Sequence, residues 1–71
     1  MNTWSFISRK ISLLCTRQNL TLRELAIQSN LSVSTLNKII HDEQIPRLTT
    51  LKKICDGFGI TLSEFFQPDE V

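Results

Sequence analysis

SNLSVSTLNKII, residues 29–40, is the stretch whose reading decides the fold. A helical apolar pattern runs up to it and breaks at Ser29-Asn30-Leu31. Asn30 is the residue there best suited to a left-handed backbone, because its short polar side chain bonds locally. Two residues on, Ser32 can offer its hydroxyl to the orphan amides of a helix start, as an N-cap does. Leu36 and Ile39 then stand at i, i+3 and point to one side, while Val33, Ser34, Asn37, Lys38 and His41 spread over the other. The stretch therefore reads as helix, tight turn, helix, with short polar side chains and one cation on the open face.

Working outward, the same logic completes a set of five helices. Ile7, Ile11, Leu14 and Gln18 follow i, i+4, i+7, i+11, one buried face of a helix from about Trp4 to Gln18. Asn19 can close it in the left-handed conformation, with Leu20 tucked beneath. Thr21 and Glu24 have the spacing of a capping box, and Leu25 and Ala26 carry the apolar face of that second helix to about Gln28. Ile45 precedes Pro46 and is biased to extended backbone. A fourth helix is expected over about Leu48 to Gly57, with Leu48, Leu51, Ile54 and Cys55 spaced for burial and Gly57 or Gly59 ending it. Thr61 and Glu64 repeat the capping box, and Leu62, Phe65 and Phe66 are expected to close the core. There is no strand-like alternation and no internal repeat. The expectation is an all-α fold of five short helices in one domain, 1–71, with the helix-turn-helix at about 21–40 and a short tail, 67–71, that Pro68 separates from the last helix.

A chain of 71 residues, 41% apolar and 21% charged, suits one small globular domain. No apolar run is long enough to span a bilayer, and the N-terminus lacks the basic-then-apolar order of a secretory signal, so a cytoplasmic location is expected. Cys15 and Cys55 form no C-x-x-C pair and read as free thiols, Cys55 as a packing residue. With His41 they make at most three metal ligands without metal spacing, so neither a metal nor another cofactor is expected. One histidine, no Cys–His or His–carboxylate arrangement and no Gly-rich phosphate loop exclude an enzyme. The formal net charge of +1 hides an asymmetry. Residues 1–40 hold five cations against one acid, and residues 41–71 hold three against six, balances of +4 and −3. One end of the molecule is thus suited to an anionic partner.

The order and spacing of these pieces resemble the Cro and phage-repressor family of helix-turn-helix proteins, the XRE type. The resemblance runs from about Ile7 to Phe66: Ile7, Ile11 and Leu14, then LTLRELA, SNLSVSTLNKI, Pro46, LTTLKKI and GITLSEFF. It implies a lambda-repressor-like DNA-binding domain that places its third helix in the major groove of double-stranded DNA, its second across the backbone, and usually works as a dimer. Val33, Ser34, Thr35, Asn37 and Lys38 match the base-reading positions. Lys38 suits guanine O6 and N7, Asn37 adenine, Ser34 and Thr35 base edges or phosphate, and Val33 a thymine methyl. Arg17, Thr21, Arg23, Ser32, His41 and Lys10 are the candidates for the DNA backbone. The resemblance implies a sequence-specific transcriptional regulator, a dimeric repressor of phage or mobile-element type.

The chain also departs from that pattern. Leu22 stands where many members carry glutamine, and Asp42 and Glu43 stand where cations are usual. Phe6, Leu13, Ile40 and Ile45 read as exposed apolar residues, which favours a homodimer interface. The same departures support a second reading, a protein-interaction module or antitoxin-like partner on the same fold.

Overall fold

The computed structural model describes residues 2–68; Met1, Asp69, Glu70 and Val71, the last three of them in the expected tail, lie outside the described residues. Five helices follow one another: α1 (Thr3–Gln18), α2 (Leu22–Ser29), α3 (Val33–His41), α4 (Leu48–Phe58) and α5 (Leu62–Phe65). The described residues contain no strand. The all-α expectation holds, with each boundary within a residue or two of the one read from the sequence.

Three of the four connections are the same corner built from three residues. Asn19, Asn30 and Gly59 end α1, α2 and α4 with φ of 56°, 57° and 74°. The N–H of each, and that of the residue after it, return to carbonyls of the helix just ended. That following residue is Leu20, Leu31 or Ile60, each partly buried against the core. The third residue is Thr21, Ser32 or Thr61, whose hydroxyl accepts the N–H of Glu24, Thr35 or Glu64. Helix end, apolar anchor and helix start are thereby satisfied within three residues. Glu24 and Glu64 complete their capping boxes by accepting the N–H of Thr21 and Thr61, each at 2.9 Å.

The core is a single cluster. Ile7, Ile11 and Leu14 of α1 meet Leu25 and Ala26, Leu36 and Ile39, Leu51, Ile54, Cys55 and Phe58, with Phe65 from α5 fully enclosed. α2 packs chiefly on α4. They come close at Gly57, where a Cβ would stand 2.1 Å from Ser29 Oγ and 3.1 Å from Ser29 N. That hydroxyl is buried and lacks a hydrogen-bond partner among the described residues. Burial pushes the thiols of Cys15 and Cys55 up, Cys55 further under the adjacent carboxylate of Asp56, and both are free.

Several core expectations are corrected. Leu48 is 67% exposed, because it is the first residue of α4 and stands past the end of the core; Phe58 at the other end of the same face is buried instead. Phe66 is 47% exposed: α5 is only four residues long, so Phe66 falls beyond it and Phe65 alone fills the core. Phe66 stacks on Phe6 with ring centroids 5.9 Å apart, which leaves Phe6 half-buried rather than open. Leu13 and Ile40 are likewise half-buried, while Ile45 is exposed as expected. Gln18 is not on the buried face; it is exposed, and its amide donates to the carbonyl of Phe58 at 2.9 Å.

Three outcomes follow for stability. Gly57→Ala should cost a net of about 1–2 kcal/mol in chemical denaturation, overpacking against Ser29 outweighing the better helix propensity of alanine. Ser29→Ala should be neutral or stabilising, since it deletes a buried hydroxyl without a partner. The bonds from Thr21 hold the Glu24 carboxyl below its ordinary value of 4.5. Its contribution to stability is therefore complete above that value and fades as pH falls through the lower folded value. A Glu24→Gln chain should show a flatter acid limb in its unfolding midpoint against pH.

Candidate nucleic-acid interface

α3 is held on one side and open on the other. Leu36 and Ile39 are buried. At about 100° per residue, Val33, Asn37, His41, Ser34 and Lys38 fall within an arc of about 140° on the opposite side. All five are exposed, Val33 at 37%. The arc gathers a methyl-bearing group, a hydroxyl, a carboxamide, an ammonium and an imidazole, with nothing longer than Lys38 to hold the helix away from a surface. His41, taken from the sequence as a backbone contact, lies on this arc one turn beyond Asn37.

Thr35 is set apart from the arc. It is half-buried at the flank of α3, its hydroxyl 2.9 Å from that of Ser32, and its N–H donates to Ser32 Oγ at 3.1 Å. Ser32 and Thr35 thus hold each other at the helix start. The turn itself is compact: Asn30 N–H donates to Ile27 O at 3.2 Å and Leu31 N–H to Ala26 O at 2.9 Å, closing α2 two residues before α3 begins.

The flanking candidates divide. Arg23 is exposed in the first turn of α2, and Arg17 in the last turn of α1. Thr21 is exposed with its hydroxyl oxygen on Glu24 N–H at 3.1 Å, which leaves its own O–H available to an acceptor. Lys10 is corrected. It is 5% exposed, and its ammonium donates to the carbonyl of Gln67 at 2.8 Å, so its charge is turned into the protein and away from any external phosphate. A lysine four residues from Phe6 and one from Ile11 carries no sequence mark that separates it from a surface cation; only the return of the chain past α5 supplies its carbonyl.

Sequence reasoning also missed residues. Ile27 is 75% exposed on α2, off the face that buries Leu25, Ala26 and Ser29, a displacement the helical spacing already contains. Arg47 is exposed at the N-cap of α4, which has no side-chain cap, so a cation and free backbone N–H groups lie together there. Its place in the acidic half of the chain concealed it. Asp42 and Glu43 are exposed after α3, Glu43 with a left-handed φ of 56°. On α4, Lys52 and Asp56 pair on an exposed surface, an arrangement that counts for little in stability and leaves that face close to neutral. Among the described residues no group of histidine, cysteine and carboxylate side chains could hold a metal ion, and no helix is long and apolar enough to cross a membrane.

Comparison with known proteins fits this arrangement. The family model described as helix-turn-helix matches residues 11–65. The chain is 35% identical over 66 residues to the HTH-type transcriptional regulator PuuR of Escherichia coli, and equally to that of Shigella flexneri. Each alignment covers 87% of this chain and 36% of the relative, so the chain spans about a third of the length of these curated relatives. A crystal structure of a mutant restriction-modification controller protein superposes with a TM-score of 0.81 at 24% identity, over 89% of this chain and 82% of that one, a likeness of fold. With its matched segment running from α1 to α5 and its Asn30–Ser32 turn between α2 and α3, the chain belongs to the helix-turn-helix family, of the Cro and XRE type that its sequence resembles.

Proposed function

We propose that the chain is a sequence-specific, double-stranded DNA-binding transcriptional regulator that inserts α3 into the major groove and lays the start of α2 across the backbone. The observation that carries this reading is the one-sided presentation of α3: a locked apolar side in the core and an arc of short, hydrogen-bonding side chains facing out. Its membership of the helix-turn-helix family and its likeness to a transcriptional regulator support it. In this reading Val33, Ser34, Asn37 and Lys38 meet base edges, with Thr35 shaping the approach from the flank. Arg17, Arg23, Thr21, Ser32 and His41 serve phosphates; Lys10 leaves the set. The complementary chemistries are a methyl contact for Val33, a bidentate amide for Asn37 and ammonium donation to guanine for Lys38. One short helix offers few base contacts, so the chain binds as a homodimer, in the manner of a repressor of phage or mobile-element type, and a palindromic site supplies the second half of the affinity. Exposed Ile27, Ile45, Leu48 and Phe66 offer apolar surface for pairing two copies.

Selection from a pool of random duplexes should enrich a two-fold symmetric motif whose affinity falls steeply with salt, because bound phosphates release counterions. Lys38→Ala and Asn37→Ala should each lose about 1–3 kcal/mol on that motif with the circular dichroism unchanged. Wild-type affinity in both variants would remove the base-reading role, and no enrichment from a folded sample would favour the protein-interaction module instead. Arg23→Ala should reduce the salt slope by about 1 and weaken all sequences alike. Lys10→Met should leave that slope unchanged and lower the thermal midpoint.

A further inference from the structure

α3 ends differently from the helices around it. α1, α2 and α4 close on a left-handed residue whose N–H, with that of the next residue, returns to two carbonyls of the helix's own last turn. At the end of α3, Asp42 has φ −104° and ψ 18°. Its N–H and that of Gln44 both go to the same carbonyl, Lys38, at 3.0 and 3.3 Å. The carbonyls of Ile39 and Ile40, among the four a helix leaves without partners of its own, receive donors from α1 instead. The indole Nε1–H of Trp4 donates to Ile39 O, and the hydroxyl of Ser8 donates to Ile40 O at 3.2 Å.

Trp4 and Ser8 are i, i+4 on α1 and stand one above the other on the same face. They grip two consecutive carbonyls, so they constrain direction as well as distance. In sequence the two carbonyls fall between Lys38 and His41, in the same last turns of α3 that carry the outward side chains Asn37, Lys38 and His41. Both donors precede residue 11, where the match to the family model begins. The clamp is therefore supplied by a part of this chain outside the matched segment.

We propose that Trp4 and Ser8 are positioning residues for DNA recognition: by capping the C-terminal end of α3 from α1, they set the tilt at which its outward side chains meet the bases. The proposal rests on the DNA-binding reading above. Base readout tolerates errors of only about 0.5 Å and 10–20°, whereas phosphate attraction does not depend on such alignment. Loosening the clamp should therefore cost discrimination and spare non-specific binding.

The test uses the full chain as wild type, Trp4→Phe, Ser8→Ala and the double variant, Trp4→Phe keeping an aromatic ring without the N–H. Affinity is measured for the selected motif and for a scrambled duplex, together with amide hydrogen exchange by NMR. In the double variant the ratio of specific to non-specific affinity should fall about 10-fold or more, with non-specific affinity within about twofold of wild type. Exchange should rise selectively in the last turn of α3, with α2 and α4 little changed. A purely structural role would lower both affinities in step with the folded fraction and raise exchange throughout, and that result overturns the proposal. So does an unchanged ratio in a wild-type background that selects a motif. If the wild-type chain selects no duplex at all, the DNA-binding reading fails first and the positioning role falls with it.

Discussion

A helix leaves four amides and four carbonyls without partners at its ends, and the described residues of this chain, 2–68, form five helices. Helix ends are therefore a large share of its backbone, and the requirement to satisfy their polar groups shapes the molecule as strongly as its core. Two devices meet it. One is the repeated corner of left-handed residue, apolar anchor and hydroxyl cap. The other is α1, which donates from its side chains to carbonyls near the ends of other helices: Trp4 and Ser8 to α3, Gln18 to Phe58 at the end of α4, and Lys10 to Gln67 beyond α5. The longest helix acts as a common strut to which the shorter ones are tied.

That arrangement explains how so small a domain can present a reading surface. A core of this size leaves little stability to spare, and a four-residue helix such as α5 has no independent stability. Each element is held by its corner, its buried side chains and, for three of them, a bond from α1. α3 can leave one whole side open because its opposite side and both ends are held: Ser32 at its start, Leu36 and Ile39 along its length, Trp4 and Ser8 at its finish. Rigidity at the back of the helix is what gives short side chains on its front a defined direction.

Much of this was legible. Asn19, Asn30, Thr21, Ser32 and Thr61 act through bonds to residues within a few positions of themselves, so the chain's own order contains the whole cause. The outward side of α3 was legible for the same reason, since period and burial of Leu36 and Ile39 leave only one side for the rest. What was not legible depends on partners distant in the chain. Lys10 reads as a surface cation and is buried because the backbone at Gln67 passes over it. Gln18 reads as part of an apolar stripe and serves Phe58. Leu48 and Phe66 have the spacing of core residues and lie beyond the core's edges, a limit set by where neighbouring helices stop.

By itself, then, the sequence determined the number and order of the helices, the turn between α2 and α3, and which side of α3 faces outward, because capping, left-handed closure and helical period are local physics. Only the tertiary structure decided which polar side chains remain at the surface, and what holds the far end of α3. Those depend on meetings across 32, 35 and 57 residues of chain, and a hydrogen bond between distant residues leaves no periodicity by which it can be read.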